Sequence, residues 1–388
     1  MNIISFTILK LPTNPPSPTF DLNFKTKDMK AINFSQDESD VFYKTLHQRV
    51  FAHLKNSAGG YRANIYFWIK FIFYYTGFVF SYSIILSSQN GWSGQLFIGY
   101  ILTGLFVLGI IFNVAHDAAH NTLFANQKLN RFFYSISFPL LGNHPFIWRT
   151  YHLKSHHMYT NVEESDIDVI QNKWLRLHEH EPVKKFHRFQ FIYAPFLYLF
   201  YTLNFVFFRD IIAIFGKTDR TIEIKVPLVA KLKYIFSKAF YFSLFLLVPY
   251  FITGTSLGTI LLAFVVMHFC MSIIIVLVLS CNHQVDLAHH LSHDEAQQSG
   301  MSWVSLQLKS NLDYSASSRF FHFFVGGFNA HTIHHLFPTV CHVHYRKLVK
   351  IMRETCNEFN VKYNETSYIN ALASHFRFLK NMGKLNPL

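Results

Sequence analysis

Charge is scarce in this sequence: only 15% of its 388 residues are Asp, Glu, Lys or Arg, against about a quarter in soluble domains. That argues against a soluble globular enzyme. Acidic residues are the scarcer kind, 22 against 35 Lys and Arg, which leaves a formal net charge of +13. Cysteine is rare too. Cys270, Cys281, Cys341 and Cys356 form no CxxC pair and two lie in an apolar stretch, so neither a disulfide framework nor a thiolate zinc site is supported. The N-terminus, MNIISFTILKLPTNPPSPTF, lacks a basic start followed by a long apolar core, and no cleaved secretory signal is read from it. Internal repeats and low-complexity tracts are absent.

Apolar and aromatic residues are abundant: 51% of the chain is hydrophobic, with 44 Phe and 20 Tyr. Joined to the basic excess, this suits a membrane protein with a basic face and gives no reason to expect a nucleic-acid partner. A helix needs about 20 mostly apolar residues to cross a bilayer. Four such runs occur, in two pairs: roughly 64–87 with 94–115, and 234–251 with 258–280. Lys70 sits near one end of the first and is expected to snorkel. The short links, SSQNGW and ITGTSL, carry no Lys or Arg. The segments rich in them, at both termini and through 117–233, are therefore expected on the cytoplasmic side.

The runs at 132–141 and 191–215 read as interfacial helices rather than spans. The first is too short, and Arg209 and Asp210 in the second would cost several kcal/mol to insert. The expected fold is thus an all-α integral membrane protein, with four transmembrane helices in two hairpins and a helical cytoplasmic cap. Its parts are a disordered segment 1–33, an amphipathic cytoplasmic segment 34–63, a first hairpin 64–115, a cytoplasmic segment 116–233, a second hairpin 234–281 and a cytoplasmic C-terminal segment 282–388. Met29 opens a more typical amphipathic stretch than Met1 does, which leaves open whether residues 1–28 belong to the native protein.

Histidine stands out, with 23 residues. The second span ends in HDAAH, whose His116 and His120 lie one helical turn apart on one face. HLKSHH supplies His152, His156 and His157, CNHQVD supplies His283 after the fourth span, and HTIHH supplies His331, His334 and His335. At this histidine frequency a given three-histidine pattern is expected about 0.08 times per chain, so two of them plus HDAAH are not accident. Imidazole suits iron, zinc, copper and nickel. Nine ligands exceed the need of one ion, so two metals are the economical reading. A membrane-surface site fed by aromatic helices suits a hydrocarbon substrate, and attack on an unactivated C–H bond calls for a redox metal such as iron.

These boxes resemble those of the membrane fatty acid desaturases. The likeness runs from about Phe34 onward and is greatest to the acyl-lipid and linoleoyl-CoA branch, through HDAAHNTLF, WRTYHLKSHHMYTNVEESDID and GGFNAHTIHHLFPTVCHVHY. It implies a non-haem di-iron centre held by His116, His120, His152, His156, His157, His331, His334 and His335, with His283 as an additional ligand. Dioxygen and two electrons would remove two hydrogens from an acyl chain carried on CoA or on a lipid. Two departures stand out. Front-end members often have Gln where His331 stands, and an HPGG-type haem motif of a fused cytochrome b5 is lacking. The resemblance therefore implies a separate donor, ferredoxin or cytochrome b5 with its reductase, steered by the basic face.

The competing readings are a related di-iron hydroxylase or alkane monooxygenase, and a metal transporter, which would place its ligands within the spans. Asp117, Asp166 and Asp168 are candidates to orient ligating imidazoles, and Trp148, Tyr159 and Asn161 to shape the substrate channel. His178, His180, His187, His289, His290, His293, His342 and His344 are expected mostly at the surface. Residue usage heavy in Phe, Lys, Asn and Ile favours a bacterial inner membrane over the endoplasmic reticulum.

Overall fold

The computed structural model describes residues 25–26, 32, 34–35, 39–88, 94–169, 174–215, 222–223 and 226–384. Most of the segment 1–33 and of the SSQNGW link thus lies outside the described residues. Among the described residues, four single helices are long and apolar enough to cross a membrane: Ile65–Ser87, Gly94–Ala119, Leu228–Thr253 and Leu257–His283. The first starts where the Asn64 side chain accepts hydrogen bonds from the Tyr66 and Phe67 amides, as an N-cap does. The third starts at Leu228, directly after Pro227, several residues before the expected Tyr234. Pro at a helix entrance loses no hydrogen bond, which explains the earlier start. Gly254, in the left-handed region at φ 65°, ends the third helix and turns the chain into the fourth.

Each of these helices presents an apolar face outward. On the first, Ile65, Ile69, Ile72, Phe73, Val79 and Phe80 are exposed, while Phe67, Tyr74, Ser81 and Ile85 are buried. Lys70 departs from expectation. Instead of snorkelling it is fully buried, and its Nζ donates to the His322 carbonyl (3.1 Å) and lies 2.8 Å from His342 Nε2. The run 191–215 folds as helices Lys185–Tyr198 and Tyr201–Phe215, bent by 72° at their junction. Its charges are internally matched: Asp210 accepts from the His144 amide at 2.7 Å and lies 3.7 Å from Lys238 Nζ, which removes much of the burial cost of each. The run 132–141 contributes helix Gln127–Ser137 and a 3₁₀ turn Phe138–Leu141.

The polar segments build a second core. Phe42, Leu46, Val50 and Leu54 recur every four residues along helix Ser39–Lys55 and so form one stripe. They pack against Ile333 and Leu336 of the third histidine box and against Leu348 and Met352 of helix Tyr345–Glu358. Among the described residues, strands form two short ladders, Lys25–Thr26 antiparallel to Ile222–Glu223 and Asp313–Tyr314 parallel to Glu365–Thr366.

Candidate metal centre

Three local distortions bring the histidines together. The second long helix widens into a π-turn over Ile111–Ala115, immediately before His116. The helix Pro145–Tyr151 continues into another π-turn, His152–His156, closed by the His157 amide donating to the His152 carbonyl at 3.1 Å. Such turns concentrate at functional sites because they re-aim side chains without ending the helix. In the loop before the third box, Gly326 adopts φ 59°, and a Cβ there would lie 2.1 Å from the Phe112 carbonyl oxygen. Only glycine permits that approach, which seats the third box on the first π-turn.

All nine predicted histidines are buried and converge in two groups. His116, His120, His152 and His334 form one, and His156, His283, His331 and His335 the other. His157 joins the first, its Nε2 3.0 Å from both His152 Nε2 and His334 Nε2, and its ring stacks 4.3 Å from His335 of the second. Adjacent residues of one box therefore serve different groups.

Hydrogen bonding among the imidazoles does not account for this packing. His152 Nε2 lies 3.2 Å from His116 Nε2 and 3.0 Å from both His120 and His157 Nε2, yet one ring nitrogen has a single proton or lone pair to offer. A shared cation does account for it. Nitrogens about 2.1 Å from one ion lie about 3.0–3.2 Å apart when the angle between them is about 90–100°, whereas tetrahedral donors would be about 3.4 Å apart. In the second group His335 and His331 Nε2 are 3.1 Å apart, and His283 Nε2 is buried without a hydrogen-bond partner. Each of the two donor sets could therefore hold a metal ion.

The outward nitrogens fix the tautomers. His156 Nδ1 faces the Asp166 carboxylate at 3.1–3.2 Å, with Asp168 further away at 3.6 Å. His335 Nδ1 faces Gln307 Oε1 at 2.8 Å and Thr160 Oγ1 at 3.1 Å. His334 Nδ1 faces the Tyr345 hydroxyl (3.1 Å), which donates its own proton to the Val340 carbonyl at 2.9 Å. In each case Nδ1 carries the hydrogen and Nε2 turns its lone pair inward. Burial, then the neighbouring imidazoles, holds His120, His152, His157, His331, His334 and His335 well below the ordinary histidine range, so they are neutral and ready to ligate. Burial also opposes charge on His156, but Asp166 outweighs it and raises that group.

A cavity of about 540 Å³ reaches His116, His152, His156, His283 and His331, then runs between apolar walls that include Ile111, Leu141, Tyr201 and Ile275. Trp148 lines it while stacking on His152 at 4.4 Å, and Leu279 faces it. Asn161 lines it too, and also ties the second box to the fourth helix by donating to the His283, His289 and Ser310 carbonyls. Tyr159 instead stacks on Phe34, 6.5 Å away.

Asp117 corrects one expectation and explains another. It orients no box histidine; its carboxylate accepts from His342 Nδ1 (2.7 Å), the His342 amide and Cys341 Sγ. Asp117, Cys341 and His342 lie close enough to hold an ion, but the Lys70 ammonium occupies the His342 Nε2 side. Lys can only donate, so His342 Nε2 accepts and its Nδ1–H points to Asp117. The surface reading of the remaining histidines also fails for His178, His187, His342 and His344, which are buried; of the others, His180 is 57% exposed and His289 is exposed. Gln307, Thr160 and Tyr345 were not legible as site residues. Thr160, one turn past His156 in sequence, carried the faintest signal.

Buried double histidine clusters beside an apolar cavity and membrane-length helices define an integral membrane oxidoreductase. A family model for fatty acid desaturases matches residues 90–367, and the chain belongs to that family. Among its relatives, the sn-1 linoleoyl-lipid 6-desaturase of Synechocystis sp. is 28% identical, covering 92% of this chain and 98% of its own length. A protein of the same description from Arthrospira platensis is 26% identical over 89% of this chain and 93% of its own. The acyl-lipid (8-3)-desaturase of Physcomitrium patens is 26% identical over 91% of this chain and 74% of its own.

Proposed function

We propose that this enzyme introduces a cis double bond into the acyl chain of a membrane lipid, using dioxygen and two electrons at a non-haem di-iron centre. His116, His120, His152, His157 and His334 would hold one iron, and His156, His283, His331 and His335 the other. The observation that carries the reading is the convergence of nine buried imidazoles on the end of an apolar cavity. The irons, when bound, supply the oxygen activation that an unactivated C–H bond requires. The chain's own residues do the rest. Trp148, Leu141 and Ile275 line the path that would hold an extended chain against the centre, and Asp166, Gln307 and Tyr345 hold the ligand rings in their ligating tautomers.

The four long helices are read as two hairpins beneath a helical cytoplasmic cap, with both termini and the histidine boxes on the cytoplasmic side of a bacterial inner membrane. Ferredoxin or cytochrome b5 with its reductase would deliver electrons to the basic face. Since relatives covering nearly the whole chain are named linoleoyl-lipid 6-desaturases, linoleoyl-lipid is the first substrate to offer, with acyl-CoA as the alternative carrier. The test is the fatty-acid profile, by gas chromatography with mass spectrometry, of a linoleate-containing host expressing the wild type or His156→Ala beside a cognate donor. A new double bond seen only with the wild type is expected. A hydroxylated chain would transfer the reading to a hydroxylase.

A further inference from the structure

A second cavity, about 720 Å³, shares no lining residue with the first. It lies between helix Gln127–Ser137, helix Pro145–Tyr151 and the start of the third long helix. Both outer walls combine a cation with apolar side chains. On one wall Arg131 is followed by Ile136, and on the other Lys233 is followed by Phe236 and Phe240, the last about 10 Å further along its helix. Arg149 adds a third cation, with its Nε anchored on the Ala119 carbonyl at 2.6 Å. On the floor is His144, 3% exposed, whose Nδ1 has no hydrogen-bond partner. Of its lining residues, Val229, Phe236 and Phe240 are 63%, 73% and 51% exposed, an apolar surface that suits lipid rather than water.

We propose that this groove binds one anionic phospholipid, its phosphate between Arg131 and Lys233 and one acyl chain along Phe236 and Phe240. Three cations among the lining residues supply the charge complement, and the apolar channel running along a membrane-length helix supplies the chain site. A soluble anion would have no use for that channel. The occupant lies on the opposite face of helix Pro145–Tyr151 from the cavity that Trp148 lines, so it braces the element that carries the second histidine box. The assignment concerns binding alone and stands whether or not the metal-centre reading holds.

The test is native mass spectrometry of the purified full chain in detergent, titrated with phosphatidylglycerol. One saturable molecule is expected, with retention weakened about 30-fold in Arg131→Ala/Lys233→Ala, from two lost surface charges, and also lost in Ser237→Trp, which fills the groove without touching charge. Lys128→Ala/Lys231→Ala removes two charges from the same two helices outside the groove and is expected to leave retention within threefold. Equal weakening by both double variants would mean diffuse surface attraction and overturn the proposal. So would full retention in Ser237→Trp, or displacement by millimolar inorganic phosphate, which would mark a free-anion site. Thermal melting of each variant separates lost binding from lost fold.

Discussion

Asp166 offers a sharp test of how the nine histidines are divided. Its two carboxylate oxygens accept from His156 Nδ1 at 3.1–3.2 Å, from the Asn161 amide at 2.9 Å and from the Asp168 amide at 3.0 Å. It touches no ligand of the five-histidine group. Asp166→Ala therefore frees the His156 ring to turn and orphans a buried amide at Asn161, the latter costing about 1–3 kcal/mol. Loss of such an orienting partner lowers metal affinity about 10–100-fold, here at the four-histidine position only. Asp166→Asn keeps one acceptor oxygen and sets an amide NH₂ against a backbone N–H, so it should fall between wild type and Asp166→Ala. The assay is chelator challenge of the iron-loaded enzyme, with metal per chain measured by mass spectrometry. One iron is expected to leave at about 10–100-fold lower chelator than in the wild type, while the second stays. Tyr345→Phe, which acts on His334, should release the other iron first. If Asp166→Ala lost both irons in parallel, or neither, the division into five and four would be wrong.

Two further outcomes follow from groups other than the ligands and the residues that orient them. Lys70→Met strips the only cation from the buried Lys70–His342–Asp117 chain, and breaking such a pair typically costs about 3 kcal/mol or more. Thermal melting in detergent should show a clear loss for Lys70→Met and a smaller added loss when Asp117→Asn is combined with it, because the two share one network; strict additivity would sink the shared network. Burial also holds His290 and His375 down to about 4, and His375 is neutral between the Gln284 carbonyl and the Tyr198 hydroxyl, both at 2.7 Å. Their folded values lie below the ordinary 6.5, so the unfolded chain binds more protons at acid pH. The stability they contribute is complete above about 6.5 and is lost as pH falls toward 4. Each contributes a slope of up to about 1.4 kcal/mol per pH unit within that window, and His375→Asn, which keeps a donor to Gln284, should flatten the denaturation profile by about one proton.

The histidines that cluster were legible because short helical spacings repeat the same residue type, and their convergence in two buried groups needs little else to declare itself. The four membrane-length helices were legible for a similar reason: a run of about 20 apolar residues is a local property. The partition of the ligands was not. In a regular helix, spacing alone would group His152 with His156; the π-turn and the neighbouring boxes instead send His156 to one group and His152 with His157 to the other.

Lys70 and Lys238 show why charge within an apolar helix is ambiguous. Such a Lys has two ways to satisfy its ammonium: water, or acceptors elsewhere in the fold. Lys238 Nζ takes the second, donating to the carbonyls of Gly142, Phe205 and Val206, and Lys70 does so through His322 and His342, some 250 or more residues away. The same long-range chemistry hid His342, which reads as one more polar histidine until Asp117 and Lys70 are brought to its two nitrogens. Gln307 and Tyr345 were invisible for that reason as well. The histidines that cluster recur in patterns, whereas the residues that orient their rings need only reach Nδ1 from wherever the chain happens to return.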